Sequence, residues 1–254
     1  MNRKNFLLVG FLVFAGFVFP LYVTAQKIRK VKNPKSAASG VQTKETQATM
    51  TPDMALQRLV EGNKRFVANQ EINQPNYRKE IIATAKGQFP FATILSCLDA
   101  RMSVDDIFDL NNGDAFNARV AGNVVNDDII GSFEFATKLM NSKLIVVLGH
   151  THCGAVYGAC DGVKLGSLTG LMAKIEPAIL NTVAKGFPRD SKNDEALDEM
   201  TWENVRLSMK EIPAKSPVIK ELVDAGKVKI VGAMYHLESG EVKFLRDDWE
   251  SKPE

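Results

Sequence analysis

Two short stretches, Cys97-Leu98-Asp99-Ala100-Arg101 and Gly149-His150-Thr151-His152-Cys153-Gly154, constrain this chain more than anything else in it. Each directly follows a run that reads as a buried strand, Phe91 to Ser96 and Lys143 to Leu148. In an open parallel sheet, loops leaving the carboxyl ends of neighbouring strands meet at a crevice, so the two stretches can share one pocket. That pocket would join two thiols and an imidazole. Cys, His and Cys are ligands that Zn2+ prefers, and three protein ligands leave a fourth tetrahedral position open, as in catalytic zinc sites. The pattern points to a zinc hydrolase or hydratase.

The rest of the chain supplies the frame for such a crevice. Thr51-Pro52 reads as a helix start, and Leu56, Leu59, Val60, Phe66 and Val67 continue at helical spacing, which predicts an amphipathic helix over 52–69. A short helix around Arg78 to Lys86 leads to the first strand. Ser103 with Asp106 resembles a capping box opening a helix through Leu110. Ala115 to Val120 reads as a strand, Ile129 to Met140 as a helix stopped by Asn141, and Lys143 to Leu148 as a central strand apolar on both faces. Helical patterns follow over 168–184, 194–212 and 217–225. Val228 to Leu237 is a further strand, and Ser239-Gly240 turns it into a short antiparallel one from Glu241 to Leu245. The expected fold class is α/β: a single domain with a mostly parallel sheet, about four parallel strands plus an antiparallel edge strand, flanked by helices.

Charge divides the chain unevenly. Eight of the 32 basic residues but one of the 30 acidic ones fall in the first 50 positions, leaving 24 basic against 29 acidic residues in the remainder. That balance argues against a nucleic-acid surface. Arg3 and Lys4, the apolar run Phe6 to Phe19 and Val23-Thr24-Ala25 have the form of a signal peptide over residues 1–25, which implies export, in a bacterium to the periplasm. The alternative is an uncleaved anchor, and membrane contact would then come only through this leader. Residues 26–50 are polar and basic and read as a flexible linker, which leaves 51–254 as the zinc domain. Three cysteines do not make a disulfide framework; with Cys97 and Cys153 at the metal, Cys160 reads as a small core residue.

Cys-x-Asp-x-Arg followed at this distance by His-x-x-Cys-Gly, each after a strand, resembles the β-class carbonic anhydrases. The resemblance implies that Cys97, His150 and Cys153 ligate one zinc ion per subunit and that Asp99 and Arg101 form the catalytic dyad. Zinc lowers the pKa of a water it binds toward roughly 7, and the hydroxide so formed can attack the carbon of CO2 to give bicarbonate and a proton. Asp99 would orient that hydroxide, with Arg101 gripping its carboxylate. By the same resemblance Gln88, Phe116, Phe135 and Gly154 line the substrate pocket, and the protein is a homodimer or higher even oligomer with helix 52–69 packed on the partner.

The chain departs from the family pattern at several points. Leu98 and Ala100 replace the usual serines around the aspartate, and Phe135 stands where some relatives have tyrosine. Self-blocked relatives carry tryptophan three residues before the first ligand; Ile94 in that place implies the open form. Two other functions use the same residues: zinc-dependent hydrolysis of carbon disulfide or carbonyl sulfide, and non-catalytic binding or sensing of bicarbonate. An oriented hydroxide, which Asp99 and Arg101 would provide, has no purpose in a sensor.

Overall fold

The computed structural model describes residues 40–72 and 77–245. The leader, residues 1–25, and most of the linker lie outside them. The described part of the linker is not all loose. Lys44–Ala48 form a short helix, α1, and its buried Gln47 donates from Nε2 to the carbonyls of Pro90 (2.7 Å) and Met140 (2.8 Å). Those contacts are with residues distant in sequence, which composition alone does not reveal, so the folded domain begins before residue 51.

Among the described residues the sheet has five strands in the order β2-β1-β3-β4-β5: β1 Ala92–Ser96, β2 Ala115–Arg119, β3 Leu144–His150, β4 Lys229–Tyr235 and β5 Val242–Phe244. All neighbours are parallel except β4 and β5. Every residue of β1 and β3 is buried, as expected of central strands covered on both faces. Side chains alternate: Ile94, Leu144, Val146 and Leu148 enter one core, whereas Leu95, Ile145 and Val147 enter the other.

Helix α2, Pro52–Val67, covers the first face with Ala55 and Leu59, helped by α4, Val104–Ile107. The Thr51 hydroxyl caps α2 by accepting from the amide of Met54 at 3.2 Å. The other face is covered by α5, Asp127–Glu134, by α8, Asp194–Lys215, and by α9, Pro217–Asp224. The remaining helices are α3, Tyr77–Thr84, then α6, Gly154–Cys160, and α7, Leu168–Ala184. Residues of α6, α7 and α8 build a third core that includes Cys97 and Cys153.

Three local expectations change. The Ser103 hydroxyl bonds the Asp106 carboxylate rather than a backbone amide, so no capping box forms. The helix read over 129–140 starts at Asp127 and finishes as a π turn, Phe135–Leu139, before Asn141 leaves it at φ 61°. Helix α8 runs past Pro213 to Lys215, because a proline in the last turn removes one amide without unseating the rest.

Gly62 marks where α2 crosses the end of α4. A Cβ there would lie 1.9 Å from the Phe108 carbonyl oxygen, a backbone atom that cannot swing aside. Alanine raises helix propensity by about 1 kcal/mol over glycine, but overpacking costs roughly 1–3 kcal/mol and occasionally more. Because the atom struck is backbone, the overpacking cost lies at the upper end, and Gly62→Ala is expected to destabilise by about 2 kcal/mol net, read as a lower urea midpoint at unchanged slope. An unchanged midpoint would show that the two helices can part freely.

Candidate metal centre

β1 stops at Ser96, so Cys97 opens the loop beyond the sheet edge. β3 continues through His150, which pairs in register with Tyr235 of β4. The histidine is thus a strand residue with a fixed direction, not a loop residue. Two positions on, His152 takes a left-handed conformation (φ 54°), and Cys153 becomes the N-cap of α6. The result brings Cys97 Sγ, Cys153 Sγ and a His150 ring nitrogen within 4.8 Å of one another, all three side chains buried.

The two sulfurs behave as a pair. The Cys97 thiol is pulled well down, first because Cys153 donates to it, with the amides of Asp99 and Gly122 adding to the effect against the cost of burial. The Gly122 amide lies 3.3 Å from Cys97 Sγ. The Cys153 thiol is pushed up, first by that shared proton and then by burial, although the amides of Ala155 and Val156 at the start of α6 oppose the rise. The two shifts run in opposite directions because the sulfurs share a proton, and a cation bound between them would displace it.

His150 Nδ1 lies 2.9 Å from the Thr151 carbonyl oxygen, which accepts only a donor. The ring proton is therefore on Nδ1, and Nε2 presents its lone pair. That Nε2 is buried and has no hydrogen-bond partner among the described residues. Leaving it so costs about 1–3 kcal/mol, and a cation between the sulfurs would satisfy it. Two thiolates and one neutral imidazole are the donor set of a zinc site, so these residues fit the ion.

Beside the donors stands Asp99, its Oδ2 4.0 Å from His150 Nε2. Arg101 grips it in a fork: Nε reaches Oδ1 at 2.9 Å and Nη2 reaches Oδ2 at 2.7 Å, and the Arg101 amide donates to Oδ1 at 2.9 Å. Those guanidinium bonds hold the carboxyl well below the usual range. The aspartate is directed at Arg101 rather than inserted among the three donors.

A family model described as carbonic anhydrase matches residues 92–242. The solved structure of the β-carbonic anhydrase CafA of Aspergillus fumigatus superposes with a TM-score of 0.62 at 26% identity, covering 78% of this chain and 92% of that one. The chain belongs to the β-carbonic anhydrase family. Similar curated relatives are carbonic anhydrase 2 of Mycobacterium tuberculosis, 35% identical over 201 residues (77% of this chain, 93% of the relative), and the carbonic anhydrase of Mycolicibacterium smegmatis, 32% identical over 198 residues (76% and 93%). The β-carbonic anhydrase CcaA shares the fold, with a TM-score of 0.61 at 24% identity over 75% of this chain and 95% of that one.

Within this carbonic anhydrase chain, the pocket residues named from the sequence are spread over more than one cleft. Gln88 lines a polar groove of about 440 Å3 with Asp105, Asn112 and Asn117. Phe116 and Phe135 meet edge to face, ring centres 6.2 Å apart, in a second groove of about 730 Å3 along the outer strand β2. The metal ligands line neither groove. Gly154 begins α6 directly after Cys153, and a Cβ there would meet nothing within 4 Å. Cys160 ends α6, buried in the core and outside the donor cluster. His152 is held by Glu238 at 2.6 Å and by the Tyr157 hydroxyl at 2.8 Å.

Sequence reasoning missed three residues around the centre. Gly122 supplies an amide to Cys97 from a left-handed conformation (φ 66°) in the turn Ala121–Asn123. Asn204 of α8 fixes that turn by donating to the Gly122 carbonyl at 2.7 Å. Arg119 reaches the Cys97 and Asp99 carbonyls. The only signal for Gly122 lay in Ala121-Gly122-Asn123 closing a strand; Asn204, far along the chain, had none.

Proposed function

We propose that Cys97, His150 and Cys153 hold one zinc ion per subunit and that Asp99 and Arg101 serve it in the reversible hydration of CO2 to bicarbonate and a proton. The observation that carries this reading is the convergence of three buried donors, one an unpartnered imidazole nitrogen, beside an aspartate kept ionised by an arginine fork. A zinc ion in that position supplies a Lewis acid that makes hydroxide available from water near neutral pH. The chain's own residues do the rest. Oδ2 of Asp99 offers an acceptor at the rim of the cluster, so a hydroxyl there has its proton directed to the carboxylate and its lone pair toward substrate. Because Arg101 occupies both carboxylate oxygens, Asp99 accepts that hydrogen bond without taking up the proton.

The oligomer belongs to the same proposal. Among the described residues β2 is an edge strand with one neighbour, and Phe135 beside it is 49% exposed. An open edge flanked by aromatic surface favours pairing with another chain. A homodimer through this edge is the arrangement we propose; one similar solved β-carbonic anhydrase, from Sordaria macrospora, is described as tetrameric. In helix α2, Phe66 packs on the chain's own core and Val67 is exposed, so Val67 is the apolar residue this helix would offer to the partner. Export to the periplasm rests on the leader sequence alone, and detection of the chain in a periplasmic fraction, shortened at Ala25, tests it.

Stopped-flow hydration of CO2 by the purified, zinc-loaded protein is the deciding measurement. Activity that is lost on chelation and returns with zinc is the expected result. A zinc-loaded protein inert toward CO2 from neutral to mildly alkaline pH would overturn it.

A further inference from the structure

We propose that Arg119 is a positioning residue for the zinc centre: its guanidinium ties the main chain of a metal ligand to the main chain of the dyad aspartate and fixes the spacing between them. The inference rests on the reading of the site given above. Arg119 ends β2 and pairs in register with Ser96, so its side chain starts one residue short of Cys97 on the neighbouring strand. From there Nε donates to the Cys97 carbonyl at 3.1 Å and Nη2 to the Asp99 carbonyl at 2.6 Å. Both carbonyls lie beyond Ser96, where β1 has ended and the sheet ladder no longer holds the chain. The Asp99 carbonyl also accepts from the Met102 amide at 3.0 Å, a bond within the loop itself. Arg119 is what joins this loop to the next strand through a side chain.

The two arginines divide the work. Arg101 fixes the Asp99 side chain, and Arg119 fixes the backbone that carries it, so the carboxylate is held at both ends. Charge-assisted bonds are roughly twice as strong as neutral ones. A planar fork can bracket two carbonyls at once, whereas the point charge of lysine cannot. Arg119 is exposed, so replacing it leaves no buried hole and no stranded charge.

The test compares Arg119→Met, which keeps the stem and loses every donor, with Arg119→Lys. Zinc affinity is measured by competition with a chromophoric chelator, alongside the melting temperature of the zinc-free chain and CO2 hydration. Residues that orient ligands at one remove typically change metal affinity or activity by roughly 10–100-fold. The expected result for Arg119→Met is zinc affinity weakened by that factor, kcat lowered with KM little changed, and an unmoved melting temperature for the zinc-free chain. Arg119→Lys should fall between it and the parent. Affinity equal to the parent's overturns the proposal, as does a loss that follows an equal fall in the zinc-free melting temperature. A parent that binds zinc yet leaves CO2 untouched would instead overturn the hydration reading, and Arg119 would still be judged on affinity.

Discussion

Replacing Cys97 with serine should cost the protein its zinc and, with it, CO2 hydration. A serine hydroxyl stays protonated at neutral pH and is a poor ligand for a borderline-soft ion. Zinc held by a full set of protein ligands is bound with an apparent free energy on the order of 10–16 kcal/mol. One ligand therefore carries several kcal/mol, and its loss weakens binding by about a thousandfold or more at 1.4 kcal/mol per decade. Metal analysis after dialysis should then find far less than one zinc per chain. The parent should melt higher with zinc than without it, because a ligand that binds only the folded state stabilises it; Cys97→Ser should show no such increment. Cys160→Ser is the control: that thiol is equally buried but lies outside the donor cluster, so zinc and activity should be retained. A Cys97→Ser protein with a full equivalent of zinc and parental turnover would remove the basis for the site.

The contrast between those two cysteines was legible in the sequence, and the reason is physical. Cys97 and Cys153 each follow a strand whose apolar run fixes where it ends, so a one-dimensional pattern places both at the same edge of the sheet. The helices at 168–184 and 217–225 were readable for a similar reason, since their periodicity is local. What escaped was non-local. Gln47 belongs to the domain through carbonyls 43 and 93 residues away. Gly122 and Asn204 act on Cys97 through a turn and a helix that composition does not connect. Gln88, Phe116 and Phe135 were read as one pocket with the metal, whereas the single chain places them in grooves on β2 and beside it, against which we have proposed a second copy.

Asp99→Asn should retain zinc and lose most of the rate. The substitution keeps size and shape but leaves one acceptor atom where there were two. Three donors address the carboxylate, two of them, the Arg101 amide and Nε, at Oδ1. An asparagine oxygen settles there, which turns the amide nitrogen toward the position of Oδ2, the atom 4.0 Å from His150 Nε2. The rim of the cluster then presents a donor where an acceptor is required. Losing one preorganised polar contact of this kind costs about 10²–10³-fold in kcat, so a fall of that size at unchanged zinc content is expected by stopped flow. Arg101→Met supplies the matching pH test. Arg101 lowers the Asp99 carboxyl chiefly through its hydrogen bonds, so removing it lets the carboxyl take up a proton at a higher pH than in the parent. The metal-activated water titrates at roughly 7 in every variant that holds zinc, so the carboxyl shows as a second fall in rate at lower pH, which should move upward in Arg101→Met and be absent from Asp99→Asn, which has no carboxyl to titrate. An Asp99→Asn enzyme with parental kcat, or a lower-pH fall in rate that ignores Arg101, would mean that hydroxyl orientation comes from another group.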